Sequence, residues 1–141
     1  MKLTWWAVIV AIGLYSCNDS KPEIAQVKDE SLAIEVMRMK KSEDPTVLDY
    51  RVRIIPQQDI AANKEKLREM MWYDTDSCFY LLDKGKVIYP ELQEPVANGR
   101  NDYEYLLLFG KEDNIDIKDI KLVYHDKHIN KRTYNLDFNE K

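Results

Sequence analysis

The sequence predicts a mainly β domain, a two-layer sandwich of about seven strands with one helix inserted after the second. Three observations carry this. Apolar residues alternate with a period of two over most of the chain from Leu32 onward. Turn-forming residues interrupt that alternation every ~8–12 positions, the spacing of a sandwich. One run, Asp59 to Trp72, breaks the period and has helical spacing instead. The same pattern allows an α+β alternative, a single antiparallel sheet packed on that helix.

The elements follow in order. Leu32, Ile34 and Val36 alternate with Ala33 and Glu35, and Met37 and Met39 then take the opposite parity. That change predicts a bulge or a strand partly buried on both sides. Ser42-Glu43-Asp44-Pro45 is a turn. Tyr50, Val52 and Ile54 against Arg51 and Arg53 give the clearest half-buried strand, which Pro56 ends. In "DIAANKEKLREMMW", good helix formers run without Gly or Pro, Asp59 is placed to cap, and Ile60, Leu67, Met70 and Met71 form an apolar stripe. Cys78 to Leu82 and Lys86 to Tyr89 read as a hairpin whose turn, Asp83-Lys84-Gly85, uses glycine for its positive φ. Glu91 to Asn101, with Pro95 and Asn98-Gly99, reads as a long loop. Tyr103, Tyr105, Leu107 and Phe109 alternate with Glu104, Leu106 and Leu108; a strand apolar on both faces belongs inside its sheet. Ile120, Leu122 and Tyr124, then Tyr134, Leu136 and Phe138, form the last two strands around a turn from Asp126 to Lys131.

Before this domain lies a different kind of segment. Lys2 precedes an uncharged run from Leu3 to Tyr15, too short to span a bilayer, which takes ~20 residues, but of the length of a secretory h-region. Leu14-Tyr15-Ser16-Cys17 ends it and resembles a bacterial lipobox. The resemblance implies a diacylglyceryl thioether on Cys17, cleavage before it, and acylation of the new N-terminus. Two or more acyl chains anchor a protein stably where one does so only marginally. The chain then divides into a signal peptide (1–16), a lipidated cysteine with a polar tether (17–29) and one β-rich domain (30–141). A Cys17–Cys78 disulfide is the rival use of the two cysteines. Otherwise Cys78 is a lone thiol in an apolar strand.

The closing strands are similar to the end of an immunoglobulin-like sandwich. With the lipobox, "FYLLDKGKVIYP", "YEYLLLF" and "IKLVYHDK", the chain resembles small Gram-negative surface lipoproteins that carry such a domain. The resemblance implies export and a lipid anchor in the cell envelope, the outer membrane favoured over the inner. It transfers no catalytic residue and no cofactor beyond the covalent lipid.

Composition narrows the function. A formal net charge of −4 and scattered Lys and Arg argue against a nucleic-acid partner, which needs a clustered basic face. No G-x-S-x-G, H-E-x-x-H, phosphate-binding glycine loop or paired CxxC is present. His125 and His128, three apart at a turn beside Lys127 and Lys131, are a weak metal pair. "DTDS", Asp74 to Ser77, has the D-x-[DN] start of a calcium loop but lacks its glycine and closing glutamate. Of nine tyrosines, most fall in strands, where cross-strand packing is the expected role. Met70, Met71, Trp72 and Tyr73 are the candidate binding patch, since exposed aromatic and methionine surfaces suit a protein or glycan partner. The expectation is a membrane-anchored binding or structural module. A small hydrolase using Cys78 or the two histidines, and an immunity-type toxin inhibitor, are the alternatives.

Overall fold

The computed structural model describes residues 21–40, 44–57, 64–112 and 115–138. Among them are nine strands and one helix. In chain order these are β1 (Glu23–Lys28), β2 (Leu32–Arg38), β3 (Val47–Pro56), α1 (Lys64–Tyr73), β4 (Phe79–Asp83), β5 (Lys86–Ile88), β6 (Leu92–Val96), β7 (Tyr103–Gly110), β8 (Lys121–His125) and β9 (Thr133–Leu136). The residues read as a signal peptide and lipobox, Ser42 and Glu43 of the expected turn, the expected cap Asp59 and the stripe residue Ile60 lie outside the described residues.

The strands form two antiparallel sheets, ordered β1-β2-β3-β7-β6 and β5-β4-β8-β9. With β2, β3, β6 and β7 as strands A, B, D and E, and β4, β5, β8 and β9 as C, C′, F and G, this is the A-B-E-D and C′-C-F-G order of an immunoglobulin-like sandwich. β1 is an added strand outside A, and α1 occupies the crossover from B to C. The predicted sandwich with one helix is therefore the observed fold, with nine strands in place of about seven.

Alternation decides which side chains point inward. Leu32, Ile34 and Val36 on β2 stand beside Leu48, Tyr50, Val52 and Ile54 on β3 and Tyr105, Leu107 and Phe109 on β7, all buried. Phe79, Leu81, Leu122, Tyr124, Tyr134 and Leu136 face them from the second sheet. Among the described residues no cystine joins the sheets, and Cys78 is a free, buried thiol. Aromatic contacts occupy the centre instead, Phe79 lying 5.0 Å from Tyr105 and 4.9 Å from Tyr124 by ring centroids, and Tyr50 5.6 Å from Phe109. These tyrosines pack across strands, as expected from their positions.

Several details depart from the sequence reading. β1 pairs with β2 over six residues, from Glu23 with Arg38 to Lys28 with Ala33, so the sheet begins within the stretch assigned to the tether. Leu92–Val96, read as loop, is β6, and Pro95 is accommodated because β6 is an edge strand. Of the two readings of β2, it is the strand partly buried on both sides and not the bulge: its register with β3 is continuous, Met37 lies half-buried on the outer face and Arg38 points inward. Arg38 is sheltered there by an ion pair with Glu23, a 2.9 Å bond to the Ile117 carbonyl and the Phe138 ring 4.3 Å below its guanidinium.

The register also sorts the loops. Pro56 pairs with Leu32, Ile54 with Tyr103, Phe79 with Tyr124 and His125 with Thr133. The β1–β2 turn, the crossover carrying α1, the β6–β7 loop and the β8–β9 loop therefore share one end of the sandwich. The β2–β3 and β4–β5 turns and the start of β1 lie toward the other. At the β4–β5 turn Lys84 and Gly85 both have positive φ, 47° and 88°, the mirror-image turn that matches strand twist.

Candidate functional site

The crossover end is built from α1 upward. Leu67 and Met71, four residues apart, are the buried residues of the helix and fix which face meets the core. The Tyr105 hydroxyl donates to the Met71 carbonyl, and Asp74 N–H closes the last turn on Met70 O at 2.8 Å. This divides the predicted Met70–Tyr73 patch. Met71 belongs to the core, Met70 and Trp72 are half-buried, and Tyr73 is 80% exposed. Four consecutive helical residues span more than one face, so they cannot present a single surface.

Trp72 instead joins a wall. Between α1, the end of β3 and the β6–β7 loop lies a cavity of about 450 Å³, within the range of small-ligand pockets. Leu67, Arg68 and Trp72 contribute from the helix, Gln57 from the end of β3, and Asn98 to Tyr103 from the loop. The loop is held in shape internally. Asn98 accepts the Arg100 N–H at 2.9 Å and donates its amide to Asp102, and Gly99 takes φ 66°. Asp102 is buried and pairs with Arg53, whose guanidinium also meets Glu35 and Glu104. These carboxylates, Asp102 first, favour the charged guanidinium of Arg53. Burial pushes the Tyr103 phenol up, and the nearby Arg68 charge opposes it.

The remaining predicted site residues are placed elsewhere. His125 ends β8 with Nδ1 2.9 Å from Thr133 Oγ1. His128 lies on the β8–β9 loop with Nε2 2.6 Å from the Asp74 carbonyl and 3.5 Å from its carboxylate, which Lys127 also approaches at 3.7 Å. His128 fastens this loop to the end of the crossover. Among the described residues no group of three or more His, Cys, Asp or Glu could hold a metal ion. The Cys78 thiol is pushed up to about 11, chiefly by burial, so it lacks thiolate character at neutral pH.

A second surface lies on the outer face of the five-stranded sheet, a cavity of about 460 Å³ lined by Ile24, Met37, Arg51, Val96 and Leu106 among others. β7 is interior to its sheet, as expected, yet Leu106 and Leu108 face outward and remain only half-buried.

Sequence reasoning found Trp72 but not Arg68, Arg100, Asp102 or Tyr103 as its neighbours. The legible signal was Asn98-Gly99, a turn dipeptide, which marked the loop but not what it faces.

Compared with known proteins, the chain matches no protein-family model, no curated protein and no solved structure. Among the described residues no helix is long and apolar enough to cross a membrane.

Proposed function

We propose that this chain is an exported, lipid-anchored binding module, attached through Cys17 to the cell envelope and receiving its ligand in the groove between α1 and the β6–β7 loop. The observation that carries this reading is the position of the groove relative to the start of the sheet. Glu23 pairs with Arg38, which pairs with Tyr50, whereas the groove begins at the other end of β3, at Pro56 and Gln57. Five residues separate Cys17 from Glu23, a reach of roughly 20 Å at full extension. A lipid at Cys17 holds the base of the sandwich near the bilayer and leaves the groove end directed away from it.

The hydrolase alternative gains no support from the site. Cys78 is buried, and one ring nitrogen of each histidine, His125 Nδ1 and His128 Nε2, engages Thr133 and Asp74 respectively. Nothing in the geometry singles out a toxin as the partner.

Metabolic labelling with an alkyne-bearing palmitate tests the anchor. The expected outcome is label on the wild-type chain, none on Cys17→Ala, and surface or periplasmic accessibility of the labelled protein. An unlabelled wild-type chain retained at full length in the cytoplasm would overturn the reading.

A further inference from the structure

We infer that the groove ligand is an acidic saccharide, with a carboxylate held by Arg68 and Arg100 and a pyranose face laid against Trp72. The inference rests on the groove being the ligand site proposed above, and it names the class of ligand. Four properties of the wall point to it.

The first is charge. The whole chain is acidic, with a formal net charge of −4, yet the charged residues lining this cavity are Lys64, Arg68 and Arg100 against Glu65 and Asp102. Asp102, the buried carboxylate of the wall, is committed to Arg53 and to the Asn98 amide. Neither Arg68 nor Arg100 has a carboxylate partner among the described residues. Two guanidiniums facing one cavity make a local positive field in an acidic molecule, and their fork geometry suits a carboxylate. Second, Trp72 and Tyr103 both line the cavity with aromatic surface, and a half-exposed indole presents a flat apolar face with a polar edge. Third, Gln57 and Asn101 add side-chain amides suited to hydroxyl groups. Fourth, the cavity volume of about 450 Å³ lies in the small-ligand range and suits one or two sugar rings. The neighbouring edge strand β6 argues against a peptide: Pro95, fourth of its five residues, removes a backbone donor, which spoils the strand as a template for strand addition.

The test is calorimetric titration of the full chain in detergent with three probes: a uronic-acid disaccharide, the corresponding neutral hexose disaccharide, and a hexaglutamate peptide. The expected result is that the uronic-acid disaccharide binds at least tenfold more tightly than the other two and weakens as salt is raised. Arg68→Ala should reduce its affinity about tenfold, and Trp72→Ala should weaken both saccharides. Arg68 is exposed, so an unchanged thermal transition in Arg68→Ala verifies that the fold survives. Equal binding of the acidic and neutral saccharides would overturn the role of the guanidiniums. Preference for hexaglutamate would overturn the saccharide class, and so would failure of all three probes to bind. Failure of the underlying reading has a separate signature: Arg68→Ala and Trp72→Ala would retain every partner that wild type captures by crosslinking in intact cells.

Discussion

Asp126 shows how much one side chain can organise without any part in a site. It is fully buried, and its carboxylate accepts the Tyr124 hydroxyl and the backbone N–H groups of Ile129, Asn130 and Lys131. Removing it strands those donors, and a buried donor left unpaired costs about 1–3 kcal/mol. Asp126→Ala is expected to lose about 3 kcal/mol or more in urea unfolding, and Asp126→Asn less because one acceptor remains. Asp29 performs a similar task on the β1–β2 turn. It accepts the Tyr134 hydroxyl at 2.6 Å, the Leu32 and Ser31 N–H groups, and Arg132 at 3.1 Å. These bonds, that from Tyr134 first, hold its carboxyl well below the usual carboxylate range. Burial, assisted by the bond to Asp29, pushes the Tyr134 phenol up to about 12. A depressed carboxyl contributes its full stabilisation above its unfolded value near pH 4, and the contribution is lost progressively as pH falls from there through the lower folded value. Asp29→Asn should therefore lose about 1 kcal/mol or less at pH 7, the side chain being partly exposed. The difference from wild type should shrink steadily as pH falls below about 4, as read by urea unfolding from pH 7 down to pH 2.

At the scale of elements, the two strands the sequence hid are the two edges of one sheet, β1 and β6. An edge strand has a neighbour on one side only and buries less, so its alternation is weak. In β1 the apolar Ile24 is 59% exposed and Ala25 is the buried residue. In β6 no residue is fully buried and Pro95 sits near its centre. Interior strands bury every second residue, which is why β2, β3 and β7 were legible by pattern alone. If β1 is structural, a chain starting at Glu30 loses a six-residue ladder, Ala25 and Val27 from the core, and the Glu23 partner of buried Arg38. Such a chain is expected to be destabilised by about 3–5 kcal/mol or to fail to fold. Circular dichroism with urea titration, compared with a chain starting at Asn18, reads the difference.

For the whole molecule, the immunoglobulin-like order gathers four connections at one end, and the groove is a product of that gathering. Closure of the two sheets also isolates Cys78, which is 1% exposed. In a Cys17→Ser variant, where Cys78 is the remaining thiol, a disulfide reagent at pH 7.5 should modify the folded protein at least a hundredfold more slowly than the urea-unfolded chain. Similar rates would contradict the burial of β4 against the opposing sheet.

The sequence by itself determined the fold class, the interior strands, the inserted helix and the hairpin at Lys84-Gly85, because local periodicity and turn chemistry are written in neighbouring residues. The resemblance of Leu14-Tyr15-Ser16-Cys17 to a lipobox likewise needs no fold to be read. Only the tertiary structure decided that Met71 packs inward while Trp72 meets Arg100 and Tyr103 across a cavity, since those partners are brought together by strand order. It likewise decided that Arg38 points inward to a glutamate from the segment read as a tether, because a buried charge is tolerable only where the fold delivers its counter-ion.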